Sequence, residues 1–323
     1  MNKLISSVSP HINSPRTTQK IMLDVLIALL PACVASVIIF GWRSLLIIGV
    51  CVAVCILSEW IFEKICKKEN TIFDLSAVVT GVLLAYNLPV SIPLWQAAFG
   101  SMFAIVVVKQ LFGGIGQNFA NPAITARIIL LLSFAKKMGD WTAPLSWRTD
   151  AVSTATPLAS LASGETEGLP SMLDMFLGVR AGSLGETCAL ALIVGGIYLV
   201  ARKVISPAIP LSFIGTVAVI MLIAGKGNLE FVAYQLMGGG LLLGAIFMAT
   251  DYSTSPISFA GKIVFGIGCG ILASLIRLFA SMPEGVSFAI LIMNLLVPHI
   301  EALTKPKPFG TVKEEKTKEA AAK

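Results

Sequence analysis

Charge is what this sequence has least of. Asp, Glu, Lys and Arg make up 13% of its 323 residues, about half of the roughly 25% found in a soluble domain. The hydrophobic share is 56% and the mean hydropathy +0.85, which excludes an ordinary water-soluble globule. Histidine is rarer still, and His11 and His299 stand alone near the two ends, so no histidine-based metal centre is on offer. None of Cys33, Cys51, Cys55, Cys66, Cys188 and Cys269 forms a Cys-x-x-Cys pair, and all lie in or beside apolar runs, where they read as small packing residues. Period-two alternation is missing, which excludes a membrane barrel. No cleavable leader is expected either: the first apolar run starts near Ile21 after a polar stretch and leads into further spans.

What the chain does have is apolar runs of about 20 residues, the length that a bilayer core of about 30 Å asks of a helix. The fold class expected is an all-α polytopic membrane protein of about ten transmembrane helices. The runs fall near residues 21–41, 44–63, 74–88, 94–112, 122–136, 184–201, 207–224, 236–250, 262–280 and 285–302. The formal charge of +6 invites a nucleic-acid reading, but the lysines and arginines sit in short clusters between runs. They read as topology signals, and no nucleic acid is expected as a partner. Lys64, Lys67 and Lys68, the Arg202-Lys203 pair and the region near Lys109 are assigned to the cytoplasmic side. An N-terminal segment (1–20) and a tail (303–323) are then cytoplasmic. They flank a first membrane half (21–136), an external loop (137–183) and a second membrane half (184–302).

The two halves echo each other. Gly81-Val82-Leu83-Leu84 opens a short span in the first and Gly240-Leu241-Leu242-Leu243 in the second, and Lys109-Gln110-Leu111-Phe112 is answered by Arg277-Leu278-Phe279. Five spans per half is an odd number, so a repeat of this kind is inverted across the membrane, with short broken helices and a site near the midplane. Asn118, Asn121 and Arg127 stand where glycine-rich backbone enters the fifth span, which makes them candidates for ligand contact. Asn121 before Pro122 equally reads as a helix N-cap. Asp251 is assigned to turn chemistry ahead of Ser255-Pro256 or to a coupling cation, and Arg277 and Glu284 to a snorkelling or paired surface role.

One long polar segment separates the halves, and within it runs Asp150-Ala151-Val152-Ser153-Thr154-Ala155-Thr156-Pro157. Its bland reading is an extended turn before proline. Its sharper reading is a hydroxyl acceptor for a covalent phosphoester, wet, reachable and flanked by small Ala155, with Asp150 nearby.

That stretch, the Gly113 to Pro122 loop, the Gly240 to Pro256 segment and Pro283-Glu284-Gly285-Val286-Ser287-Phe288-Ala289 together resemble a known family. It is that of the D subunit of the Rnf ion-translocating electron-transport complex, related to the B subunit of the sodium-pumping NADH:quinone oxidoreductase. The resemblance covers almost the whole chain. It implies FMN attached by its phosphate to Thr156, the last residue of a Ser/Thr-Gly-Ala-Thr motif in which Ser153 and Asp150 belong to the attachment sequence. Thr154 stands where that motif has glycine. The resemblance also implies a second flavin, such as riboflavin, near Asn118 and Asn121; from the residues themselves no metal site is expected. The expected role is a membrane subunit of a translocase that relays electrons between ferredoxin and NAD and couples them to sodium or proton movement. Its expected partners are the other Rnf subunits, a flavin transferase and membrane lipid, in the bacterial inner membrane. Read without the family, an inverted-repeat channel or transporter for a small solute, or a scaffold for partner subunits, remains open.

Overall fold

The computed structural model describes residues 16–68, 70–145, 147, 155–162, 169–280 and 285–305. Among these residues the secondary structure is helical throughout, with no strand. Helix α1 (Thr18–Phe40) is capped by the Thr17 hydroxyl, which accepts from the Lys20 amide at 3.3 Å. It turns back through Gly41 into α2 (Trp42–Ile65). Gly41 has φ +77°, and a Cβ there would lie 2.8 Å from the Trp147 ring, so the hairpin and the start of the polar segment pack together.

Then the helices break up. The third, α3, runs only from Ser76 to Tyr86. The chain crosses the remaining depth without helix and re-enters as α4 (Leu94–Gln110), whose last part, Ala104–Gln110, is widened to a π-helix. Helix α5 (Pro122–Ser133) begins inside the molecule, and the single turn Ala135–Met138 follows it. Two six-residue helices, α6 (Pro157–Ala162) and α7 (Met172–Leu177), punctuate the polar segment.

The second half opens with α8 (Ala189–Ala201) and α9 (Ala208–Ala224). Next come α10 (Leu229–Met237) and α11 (Leu241–Met248), bent by 61° at Gly238-Gly239-Gly240. Both Gly239 (φ +63°) and Gly240 (φ +69°) take left-handed conformations there. Helices α12 (Phe259–Phe279) and α13 (Val286–Thr304) complete the chain. Close crossings rest on glycine: a Cβ at Gly270 of α12 would lie 2.6 Å from Thr216 of α9, the small-residue contact that membrane helices favour.

Where ten spans are expected, ten apolar helical stretches occur, counting α10 and α11 as one, but not all of them are long enough to cross a bilayer. Four described helices are long and apolar enough to cross a bilayer, five if the bent pair is one span, and five more are shorter apolar helices of 10–17 residues. The eighth span differs most from expectation. It begins at Leu229 rather than 236, because Glu230, Tyr234 and Gln235 lower the hydropathy of a segment that is nevertheless helical.

Contacts sort the molecule into two ends. At one, Arg202 reaches Asp24 near the start of α1 at 3.3 Å, Arg16 reaches the Lys203 carbonyl and Lys68 the Gln110 carbonyl. At the other lies the Gly41 hairpin, where the Trp147 indole donates to Ile38 and Arg43 to Ile92. The clusters Lys64 to Lys68 and Arg202-Lys203 thus share one end, and the polar segment starts at the opposite one.

Candidate functional site

The broken elements meet inside the molecule. Asn121 caps α5, its carbonyl oxygen accepting from Ala123 at 3.0 Å and Ile124 at 3.2 Å, and its amide nitrogen donates across the molecule to the Met248 carbonyl at 3.2 Å. The backbone N–H of Asn121 is taken by Asn294 of α13 at 3.1 Å once that amide is oriented to suit its neighbours, and the same amide donates to the Thr254 carbonyl at 3.0 Å. Asn87 holds the end of α3, donating to the Leu83 carbonyl at 2.7 Å and, across the molecule, to the Met248 sulfur at 3.6 Å. Three buried amides thereby stitch the first half to the second.

Beside this seam is a cavity of about 360 Å³ lined by α1, α3, the loop before α5 and the segment after α11. That volume lies at the low end of the roughly 300–1,000 Å³ of small-molecule sites. Its wall is mostly apolar, with Val25, Leu83 and Phe247, and carries a few polar groups, among them Asn118, Asn121 and Asp251. The side-chain oxygen of Asn118 is buried and has no hydrogen-bond partner among the described residues. An acceptor left unpaired at a cavity wall is costly, and it suits a ligand carrying a ring N–H. The residues present therefore fit a flavin-like planar ring.

Asp251 accepts from Ser253 at 3.1 Å and Thr254 at 3.3 Å, which is the turn chemistry expected of it. Burial pushes its carboxyl above the usual range, and these bonds pull partly the other way.

Behind the cavity lies a cluster that sequence reasoning missed. Lys109 is 2% exposed and its ammonium bonds to Glu59 Oε1 and to Ser76 Oγ, both at 2.6 Å. Gln110 adds a bond to the same Glu59 oxygen at 2.8 Å, while Glu59 Oε2 is buried without a partner among the described residues. Glu63, one turn on, accepts from the Thr71 amide and hydroxyl. Lys109 is thus no exposed topology signal but half of a buried ion pair. The clue was available: Glu59 and Glu63 lie within an otherwise apolar span, where an ionisable residue marks a site by default.

Thr156 lies elsewhere, where α6 rests on α10 and Leu158 packs over Gly238. It is 6% exposed, so it is not the wet, reachable acceptor expected from sequence. Its hydroxyl oxygen caps α6, accepting from the Ala159 amide at 3.3 Å. The hydroxyl hydrogen is committed to no acceptor among the described residues, and an ester oxygen retains the capping lone pair, so the residue fits a phosphoester. Asp150 and Ser153 lie outside the described residues.

Under α6 two buried guanidiniums hold the helix break. Arg277 donates to the carbonyls of Gln235 at 2.6 Å, Gly238 at 2.9 Å and Gly239 at 3.3 Å, and Arg180 donates to Met237 at 2.7 Å. They satisfy the last carbonyls of α10 and complement its dipole. Arg277 is 7% exposed, which overturns the surface role expected of it. Glu284 lies outside the described residues. Arg127 is also buried, joining α5 to Ser287 of α13. No group of three or more His, Cys, Asp or Glu residues suited to a metal ion occurs among the described residues.

The family described as the NQR2, RnfD, RnfE family matches residues 5–310. The D subunit of the Na(+)-translocating ferredoxin:NAD(+) oxidoreductase complex of Acetobacterium woodii is 45% identical over 99% of both chains. Its counterpart in the proton-translocating ferredoxin:NAD(+) oxidoreductase complex of Clostridium ljungdahlii is 40% identical over 94% of this chain and 96% of its own. The D subunit of the ion-translocating oxidoreductase complex of Escherichia coli is 33% identical over 94% of this chain and 97% of its own.

Proposed function

The chain belongs to the NQR2, RnfD, RnfE family, and from that premise we propose that it is the membrane-embedded D subunit of an ion-translocating ferredoxin:NAD oxidoreductase complex, relaying electrons through two flavins. One is FMN esterified to Thr156, the other a non-covalent flavin such as riboflavin in the cavity beside Asn118 and Asn121. The observation that carries the reading is their separation. The cavity lies toward the end where α1 begins, and Thr156 lies on the far side of the Gly238 to Gly240 break. Two carriers so placed would sit at either end of α11, one beside Phe247 and the other beside Gly238.

The isoalloxazine supplies the one- and two-electron chemistry that side chains lack. The protein's part is to bind and to hold. Asn118 offers its unpaired oxygen to a ring N–H, and the Asn121 cap fixes the loop that carries Asn118. Apolar neighbours such as Val25 and Leu83 would pack against the ring. At the other site the tether prevents loss of the group, and the carbonyl clamp of Arg277 and Arg180 keeps its platform rigid. The basic end faces the cytoplasm, by the positive-inside rule, and Thr156 belongs to the outer half of a bacterial inner membrane. Other Rnf subunits, lipid and a flavin transferase are the partners.

In-gel fluorescence of the denatured subunit tests the covalent part. Thr156→Val keeps size and branching but removes the hydroxyl, so fluorescence should vanish. Thr156→Ser should retain it in part. A flavin signal surviving in the valine variant refutes the assignment. For sidedness, a cysteine placed at position 160 should react with an impermeant reagent from outside, and reaction only after the membrane is opened contradicts it.

A further inference from the structure

The relay as described gives Lys109 no task, yet this residue stands in the cavity wall. We propose that Lys109 sets the reduction potential of the carrier in the cavity, its ammonium favouring the state in which the carrier has gained negative charge. The inference rests on the reading that a flavin occupies that cavity.

Orientation is the first argument. Lys109 and Ser76, 2.6 Å apart, both line the cavity, while Glu59, which takes the other 2.6 Å bond, does not. The ion pair is therefore a dipole with its positive end toward the ligand and its carboxylate behind. Among the described residues that line the cavity, Lys109 is also the one cation. The other carboxylates nearby are Asp74, which accepts from the Ser76 hydroxyl at 2.5 Å and does not line the cavity, Glu63, which is engaged by Thr71, and Asp251 across the cavity, engaged by Ser253 and Thr254.

Local backbone is the second. Leu111 donates to the Val106 carbonyl at 3.1 Å, an i to i+5 bond that widens the last turn of α4. The widened turn lets consecutive residues Lys109 and Gln110 both reach Glu59. Such π turns are rare and recur at functional sites. The third argument is energetic: a buried ion pair adds little to stability that a well-packed apolar pair would not. Its field on the cavity is what an apolar pair cannot replace, because low-dielectric surroundings leave it weakly screened.

The electron balance is simple. A reduced one-electron carrier of the same complex delivers one electron, and the next carrier removes one. The cavity ligand gains and loses one negative charge, no bond forms or breaks, and Lys109 keeps its protons.

Spectroelectrochemical titration of the purified complex, combined with chromatography of acid-extracted flavin, tests the proposal. The variants are Lys109→Gln with Glu59→Gln, Lys109→Met with Glu59→Leu, and Glu59→Gln alone. In both double variants extractable flavin should remain, and its one-electron reduction constant should fall about tenfold, roughly 59 mV. Glu59→Gln alone keeps the ammonium without its counter-charge and should move the potential upward. The covalent carrier should not shift in any of them. Retained flavin with an unmoved potential in any assembled variant overturns the proposal, and so does loss of flavin from an assembled double variant, which would make Lys109 a binding residue instead. Absence of extractable flavin from the unaltered complex sinks the cavity reading itself, a different and separately visible failure.

Discussion

Each half of the molecule ends its fourth apolar span, counting α10 and α11 as one, near a buried cation, Lys109 at the π-helical end of α4 and Arg277 in the last turn of α12. The two are satisfied by different chemistry. Lys109 faces a carboxylate, Glu59, with Ser76 and Gln110 completing the cluster. Arg277 is taken up instead by the carbonyls that end α10. A compact ammonium suits a point charge, whereas a planar guanidinium with five donors suits an array of carbonyls. The difference teaches that position in the fold dictates a buried cation while the partner dictates its use. One stands in a cavity wall, the other holds a helix break under the Thr156 platform.

Replacing one partner at a time should separate the two. Lys109→Met strands a buried carboxylate and should destabilise by about 3–5 kcal/mol, with Glu59→Leu restoring most of the loss. Thermal unfolding in detergent measures both. Arg277→Met should cost on the order of 2–5 kcal/mol, since buried carbonyls lose their donors at about 1–3 kcal/mol each. No single side-chain change should rescue it, because the carbonyls it holds are backbone. A rescue by Gln235→Leu would show that the side-chain amide, not the carbonyl array, is the partner that matters.

Asn121→Leu should have a smaller effect, about 1–2 kcal/mol for the lost cap, together with reduced extractable flavin and intact covalent flavin. Thr156→Val should be smallest in stability, about 0.5–2 kcal/mol for the lost α6 cap. Larger losses in either variant would mean that the seam of amides or the platform bears more of the fold than its hydrogen bonds indicate.

Much of this architecture could be read from residue patterns alone. Long apolar runs locate α1, α2, α12 and α13 closely, and Asn121-Pro122 announces the start of α5, because hydropathy and capping are local properties. What stayed hidden is nonlocal. The Lys109 to Glu59 bond joins residues 50 positions apart, and no periodicity reports which cation meets which acid. A lysine at a helix end looks the same whether it snorkels to water or turns inward, and the π turn that directs Lys109 inward leaves no mark in composition. The α10 segment escaped for the opposite reason: Glu230, Tyr234 and Gln235 dilute its hydropathy, though packing against α9 and α6 makes it a helix. The motif singles out Thr156 as a candidate acceptor, but its burial depends on α6 settling onto Gly238, which a local sequence does not disclose.

The central claim is that this chain carries a flavin through a phosphoester at one threonine. Mass analysis of the peptide spanning Thr156, taken from active complex, tests it most directly. The account predicts a mass increment equal to FMN less one water, located on Thr156 and gone in Thr156→Val. An unmodified peptide from fully active complex would contradict it.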